Sequence, residues 1–144
     1  MRKGDDEDID FPNNGDIPPL LPEGDHYQVS FVGWDQKALW AGEQRMFLFF
    51  KIHTPGPYFG AELYMACTIP SKGKWRPSMK YWMNWVLANG KQPMRKDRLS
   101  TKVFRNKIFR ARVHKVVKTS EKGISRTPDQ QYSVIASLLE VLVG

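Results

Sequence analysis

The chain is poor in the features that define secreted and membrane proteins. It has one cysteine in 144 residues, so no disulfide forms within it, and Cys67 lies among apolar residues, where a buried and unreactive thiol is expected. Its apolar runs are too short to cross a bilayer, and its first residues are acidic, unlike a secretory signal. These absences favour a cytoplasmic protein without a membrane partner.

Motifs for catalysis and metal binding are also lacking. The three histidines, His26, His53 and His114, are scattered and have no cysteine or carboxylate partners at the spacing of metal ligands. The sequence contains no glycine-rich phosphate loop and no nucleophile elbow. Residues 26–144 hold only seven acids, and no pair of them suggests a metal-binding or acid–base dyad. We therefore expect a protein that is not an enzyme and that holds no metal or cofactor.

Positive charge is abundant, but it is unevenly distributed. The net charge is +7, from 22 bases and 15 acids, yet residues 1–25 contain eight of the acids and only two of the bases. The remainder therefore carries 20 bases and 7 acids, a net charge of about +13. Such a body attracts polyanions, and nucleic acid is the commonest one inside cells. Solubility alone is the competing explanation for this charge.

Residues 1–23 combine a charge run with four prolines and have no periodic apolar pattern. We predict a disordered acidic arm there, because too little apolar surface is available to offset the entropy cost of ordering. The ordered domain is then expected over residues 24–144. Two interpretations of the arm stay open. It is either a solvated tail or a segment that competes with nucleic acid for the basic body or recruits partner proteins.

The periodicity of the ordered part predicts a mainly β domain. Alternation predicts strands at about 26–34, 45–52, 62–69 and 107–118 and a fifth beginning at 132, with a loop or short ribbon over 35–44. Residues 137–143 fit either an extension of the fifth strand or a terminal helix. The helical spacing of Met79, Trp82, Met83 and Val86 predicts a helix over 78–89, with Ser78 as N-cap and Gly90 after its end.

Three strands, a helix and two strands follow each other in the order of the OB-fold. That fold is a five-stranded Greek-key barrel whose helix lies between strands three and four. We therefore predict an OB-like barrel, with a split α+β sheet as the main competitor. In OB-folds the ligand lies across strands two and three and contacts the loops between strands one and two and between strands four and five.

The second strand carries two different faces. Met46, Leu48, Phe50 and Ile52 form an ordinary apolar face, whereas Arg45, Phe47, Phe49 and Lys51 alternate cations with aromatic rings. The second face suits base stacking combined with phosphate neutralisation. The alternative is a strand covered on both sides, with Phe47, Phe49 and Tyr64 in the core and the charges at the sheet rim.

Placing the sequence on the OB arrangement predicts one extended basic and aromatic surface for nucleic acid. Its residues are Trp34, Lys37, Trp40, Arg45, Phe47, Phe49, Lys51, Tyr64, Lys72, Lys74, Trp75, Arg76, Arg110, Arg112, Lys118, Lys122 and Arg126. Two parts of this surface have an equally simple explanation. The loop around Trp75 fits a solvated loop with the indole tucked against the barrel, and Arg110 and Arg112 with His114 fit an exposed strand face.

The span Pro19–Val143 resembles a group of uncharacterised small proteins of bacterial mobile elements and prophages. The matching stretches are Leu21–Gly24, Phe104–Val113, Tyr132–Ile135 and Leu138–Leu142. This resemblance implies a role in a mobile element but no activity and no site residues. OB-type single-stranded-DNA-binding proteins are similar in element order and surface, but their acidic C-terminal tip has no counterpart in the closing residues 140–144.

We therefore predict a non-catalytic, largely sequence-independent single-stranded-DNA-binding protein that acts in replication, transfer or recombination of a mobile element. RNA is the other single-stranded ligand that the surface fits, and proteins of replication and recombination are the expected protein partners. Self-association through a barrel edge or the apolar C-terminal segment is also expected. The alternative is a protein-interaction module, either an inhibitor of host defence or a regulatory accessory factor.

Overall fold

The protein folds around one five-stranded antiparallel sheet. The computed structural model describes residues 18–38, 43–71, 74–117 and 131–144. In chain order its elements are β1 Gly24–Ala38, β2 Gln44–Ile52, β3 Glu62–Ile69, α1 Lys80–Asn89, a 3-10 helix Thr101–Phe104, β4 Ile108–Val116 and β5 Tyr132–Val143. The mainly β class and the position of the helix between the third and fourth strands are confirmed.

The strands lie in the order β3-β2-β1-β4-β5, and every neighbouring pair is antiparallel. Within the described ranges no ladder joins β3 to β5, so the sheet is not a closed barrel. The last residues, 132–143, form one continuous strand, which decides between the extension and the terminal helix in favour of the extension. Register shifts along the β4–β5 ladder let this long strand bend with the sheet.

β1 is longer than its sequence pattern indicates. It continues through residues predicted to be a loop and ends at Ala38, which lies opposite Gln44 of β2. A bulge at Val32 interrupts the alternation, because Phe31 pairs with Phe50 whereas Gly33 pairs with Phe49. A bulge reverses the side-chain alternation that follows it. For this reason the strand pattern was not visible beyond residue 34.

The main core fills the space between the sheet and α1. Met46, Leu48, Phe50 and Ile52 are buried in it, as the alternation of β2 predicts. On the helix side the predicted face is partly wrong, because Met83 is exposed and the buried residues include Tyr81, Trp82, Trp85 and Ala88.

Two of the three large rings of α1, those of Tyr81 and Trp85, enter the core with their polar ends bonded to backbone carbonyls. The hydroxyl of Tyr81 donates to the carbonyl of Leu99 over 2.6 Å, and the indole N–H of Trp85 donates to the carbonyl of Ser100 over 2.9 Å. Because these loop carbonyls accept the bonds, the rings can be buried without an unpaired polar atom. Leu99 and Ser100 lie 18 and 15 residues after their partners in the chain. Helical spacing alone therefore does not indicate these hydrogen bonds.

The residue predicted to follow α1 is correct, and the residue predicted as its N-cap is wrong. Gly90 follows the helix in the left-handed conformation, with φ of 85°, and its N–H donates to the carbonyl of Val86 over 2.8 Å. At the other end the N-cap is Met79 instead of Ser78, and no side chain caps it. The first turn therefore begins without the side-chain acceptor that the serine was expected to supply.

The last residues of the predicted acidic arm belong to the folded domain. Leu21 is buried, its N–H donates to the hydroxyl of Ser133 over 2.7 Å, and that hydroxyl donates to the carbonyl of Leu21 over 3.1 Å. The N–H of Ser133 also donates to the carbonyl of Pro19 over 3.0 Å. The ordered region thus starts before residue 24, whereas residues 1–17 lie outside the described ranges.

Candidate nucleic-acid interface

The face of β1, β2 and β3 that points away from the main core carries the candidate site. Residues that pair across neighbouring strands share a face of the sheet, and four rows follow from the register. These rows are Lys37–Arg45–Thr68, Asp35–Phe47–Ala66, Gly33–Phe49–Tyr64 and Ser30–Lys51–Glu62. We call this surface the cation-edged face, because aromatic rings lie in its middle and cations at its ends. It brings together six of the predicted residues.

The middle of the cation-edged face is covered. Phe47 is 1% exposed and Tyr64 is 4% exposed, and with Tyr132 they form a second apolar cluster. The rings of Phe47 and Tyr64 meet edge to face at 5.2 Å between centroids, and those of Tyr64 and Tyr132 lie 6.2 Å apart. The prediction that Phe47 and Tyr64 are exposed rings is therefore wrong, since neither ring has a free side for a base.

The physical reason lies in the curvature of the sheet. Tyr64 belongs to β3 and Tyr132 to β5, which are the two outer strands, yet their hydroxyls are 3.3 Å apart. The sheet must therefore curl until its outer strands approach each other. Aromatic rings that meet in this way bury apolar area and gain edge-to-face attraction. Phe49 lies at the border of the cluster and is only half-buried, so it is the ring that retains accessible surface.

The charged rows lie at opposite ends of the cation-edged face. Arg45 lies directly opposite Lys37 at one end, and both side chains are partly exposed. Lys51 is exposed at the other end, where it faces Glu62 of β3. Two neighbouring cations raise the local positive potential, which favours an anionic ligand.

Several predicted residues lie elsewhere. Trp34 is exposed but pairs with Leu48, so it is on the side of the sheet opposite the cation-edged face. Lys74 and Arg76 are exposed, whereas Trp75 is half-buried with its ring 4.8 Å from that of Tyr81. This packing favours the interpretation of Trp75 as a ring tucked against the domain. Other predicted residues lie outside the described ranges: Trp40, Lys72, Lys118, Lys122 and Arg126.

The arginines of β4 already have carboxylate partners. Arg112 forms a bidentate pair with Asp25, with distances of 2.8 and 3.2 Å, and Arg110 donates to Glu140 over 2.9 Å and to the carbonyl of Asp25 over 2.9 Å. The hydrogen bonds from Arg112 lower the pKa of Asp25 below its usual value. These contacts favour an exposed, ion-paired strand face over a phosphate track.

Tyr132 is the member of this site that sequence reasoning missed. It pairs with Val116 of β4 and reaches Tyr64 across the gap between the outer strands. The sequence offered one indication of its role. Tyr132 is the first aromatic residue of the last strand, and in an OB-like order the last strand lies next to the third strand. The contact spans 68 residues of chain, so local patterning does not indicate it.

The described part of the chain holds no group of three or more His, Cys, Asp or Glu side chains placed to bind a metal ion. Cys67 is buried, and this burial raises the pKa of its thiol to about 11. A thiol in this state is a poor nucleophile. In the same described ranges, no helix has the length and apolar character needed to span a membrane.

No protein-family model, curated protein or solved structure matches this chain. Its function is therefore inferred from the geometry of its own residues.

Proposed function

We propose that the protein is a non-catalytic single-stranded-DNA-binding protein that binds its ligand across the cation-edged face with little sequence preference. The observation that carries this proposal is the strand register, which places the partly exposed ring of Phe49 on the same face as Lys37 and Arg45 at one end and Lys51 at the other. Cations that flank an accessible aromatic ring are what single-stranded nucleic acid requires, because phosphates need neutralising and bases need a stacking partner.

The topology supports the same proposal. The sheet order β3-β2-β1-β4-β5, with α1 between β3 and β4, is the order expected of an OB-like domain. The contact between Tyr64 and Tyr132 shows that the outer strands β3 and β5 approach each other. These are the two strands that would have to meet for the sheet to close as an OB barrel. OB-folds bind oligonucleotides on the surface of strands two and three, which supports the cation-edged face as the binding surface that we propose.

The burial of Phe47 and Tyr64 changes the expected balance of forces. With one accessible ring, stacking supplies roughly 1–3 kcal/mol for one base. Most of the affinity must then come from phosphates and be sensitive to salt. If Lys37, Arg45 and Lys51 each neutralise one phosphate, log K should fall with log salt concentration with a slope of about −2 for a single strand. Base identity contributes little to such an interaction, so the binding is largely independent of sequence.

The biological setting that we propose is the replication, transfer or recombination of a mobile element. This part of the proposal is supported by the resemblance described above. A protein that coats exposed single strands suits each of these processes, because each passes through single-stranded intermediates.

Titration of a fluorescent poly-dT oligonucleotide, followed by anisotropy over a series of salt concentrations, tests the proposal. We expect tight binding at low salt, the slope given above and weak competition by duplex. Arg45→Gln and Lys51→Gln should each weaken binding several-fold. Lys91→Gln is the matched control, because it removes one charge from an exposed site after α1. Absence of binding at low salt would contradict the proposal, and equal losses in all three variants would move the site away from this face.

One observation favours the protein-interaction alternative. The end of β5 exposes a run of apolar side chains, Val141, Leu142 and Val143, and the last of these is 61% exposed. Contiguous apolar surface of this kind is typical of protein contacts. An inhibitor of host defence or a regulatory accessory factor would use this surface together with the basic body. Such a protein would bind no oligonucleotide in the titration above.

A further inference from the structure

The turn between β2 and β3 carries a strongly exposed aromatic ring. Phe59 is 62% exposed, and within the described ranges no other Phe, Tyr or Trp side chain is exposed to this extent. Exposure alone indicates no function, because single apolar side chains are common on protein surfaces. The position of this ring relative to the cation-edged face is what gives it a possible ligand.

Phe59 lies at the end of the cation-edged face that carries Lys51. Ser30 belongs to the same row of this face as Lys51, and its hydroxyl oxygen lies 2.6 Å from Nε2 of His53. The ring of His53 in turn meets the ring of Phe59 edge to face, with 6.1 Å between centroids and 85° between planes. This chain of contacts places the ring of Phe59 just beyond the last row of the face.

Backbone hydrogen bonds fix the turn that presents this ring. Gly60 follows Phe59 in the left-handed region, with φ of 88°, and its N–H donates to the carbonyl of Ile52 over 2.8 Å. The N–H of Ala61 donates to the carbonyl of Tyr58 over 3.0 Å. The Tyr58 ring also packs against the main core. A ring held in this way loses little conformational freedom when a ligand binds, so less of the binding free energy is spent on ordering it.

We propose that Phe59 is a second stacking position, which takes an unpaired nucleobase of a single strand bound across the cation-edged face. This inference rests on the function proposed above, because the ring needs a ligand that already lies on that face. Phe49 and His53 are four residues apart, which corresponds to about 13 Å of extended chain, and Lys51 lies between them. A single strand that follows β2 therefore meets Phe49, then Lys51 and then Phe59.

Stacking, and not charge, is what this end of the face offers. Lys51 lies opposite Glu62, so the charges of this row largely balance. An aromatic ring contributes about 1–3 kcal/mol for each stacked base, which is roughly a 5- to 150-fold gain in affinity. Every base has an aromatic face, so a second ring strengthens binding without adding sequence preference.

Three substitutions of Phe59 in the full chain test this position in the poly-dT titration. Phe59→Ala and Phe59→Leu should each weaken binding roughly 5- to 150-fold, whereas Phe59→Tyr, which keeps an aromatic face, should retain the parental affinity. The salt slope should stay unchanged, because no phosphate contact is removed. All three should melt within about 4 °C of the parent, since the ring is exposed. Met94→Ala is the control, because it removes a 94% exposed side chain from the loop after α1.

The outcomes separate this inference from the function on which it rests. A full chain that binds no oligonucleotide at low salt would overturn both. A full chain that binds, together with a Phe59→Ala variant of parental affinity, would overturn the second stacking position alone. Parental affinity in Phe59→Leu would also overturn it, because an aliphatic side chain cannot stack on a base.

A photo-cross-link gives an independent readout on the unmodified chain. Poly-dT in which 5-iododeoxyuridine replaces thymidine forms cross-links on irradiation with aromatic rings that contact the base. Trypsin cleaves after Lys51 and so separates Phe49 from Phe59, which allows mass spectrometry to assign each cross-link. We expect cross-linked peptides of both kinds. Cross-links to the peptide of Phe49 without any to that of Phe59 would overturn the second stacking position.

Discussion

Substitution of Phe47 by alanine separates a ring that stabilises the fold from a ring that binds a base. Phe47 is 1% exposed, and its ring meets that of Tyr64 edge to face at 5.2 Å. Truncation of a buried phenylalanine costs about 3–5 kcal/mol, since the transfer energy is lost and a cavity is left. For a domain of this size about 1 kcal/mol corresponds to roughly 4 °C in melting temperature. We therefore expect Phe47→Ala to melt roughly 12–20 °C lower.

Two matched variants locate the boundary of the covered cluster. Phe49 is only half-buried, so Phe49→Ala should cost about 1–2 kcal/mol of stability. The same change should weaken oligonucleotide binding by about 1–3 kcal/mol, because the accessible stacking ring is lost. Phe47→Leu keeps most of the apolar volume and should cost less than about 1.5 kcal/mol.

The assay pairs thermal melting by circular dichroism with the poly-dT titration on the same samples. We expect a large loss of stability for Phe47→Ala and a loss of binding for Phe49→Ala. A Phe47→Ala protein that melts within about 4 °C of the parent and has lost its affinity would refute this reasoning. That result would show that Phe47 is exposed to the ligand in solution.

Three further predictions concern the acidic N-terminal residues, Cys67 and Lys80. Removal of residues 1–16, which hold six acids and two bases, should tighten oligonucleotide binding at low salt without lowering the melting temperature, and unchanged affinity would exclude competition by this segment. Burial raises the pKa of the Cys67 thiol from 9.0 to about 11, so Cys67 should react with Ellman's reagent only on unfolding, and rapid labelling of the native chain would contradict its burial. Because the folded chain keeps this proton, the contribution of the thiol to the free energy of unfolding should be lost as pH rises from about 9 towards 11. Burial lowers the pKa of Lys80, so folding disfavours its charged form and Lys80→Met should raise the melting temperature at pH 7. The difference in melting temperature between the variant and the parent should shrink as pH rises towards 10.5. A lower melting temperature of the variant at pH 7 would show that the ammonium group makes favourable contacts.

The local sequence pattern was sufficient to predict features that depend on a single strand or a single turn. The alternation over 45–52 predicted which side chains of β2 enter the main core, because successive residues of a strand point to opposite faces. Gly90 was recognisable as the residue after α1, since its left-handed conformation suits glycine. The same pattern failed at Val32, where a bulge shifts the alternation and hides the extension of β1.

The environment of the second face was not predictable in this way. Tyr64 packs against Tyr132 of β5, 68 positions further along the chain, and Phe47 belongs to the same apolar cluster. The pairing of Arg112 with Asp25 similarly joins residues 87 positions apart. Two residues far apart in the chain leave no periodic signal of their contact.

The sequence by itself determined the mainly β class, the order of the elements and the two-faced character of the strand from Arg45 to Ile52. These properties depend on side-chain alternation, turn residues and charge, which are all local. Only the tertiary structure decided that Phe47 and Tyr64 are buried, that Phe49 keeps accessible surface and that β1 continues to Ala38. These outcomes depend on how the sheet curls and where each ladder stops, because burial is a property of all the strands together.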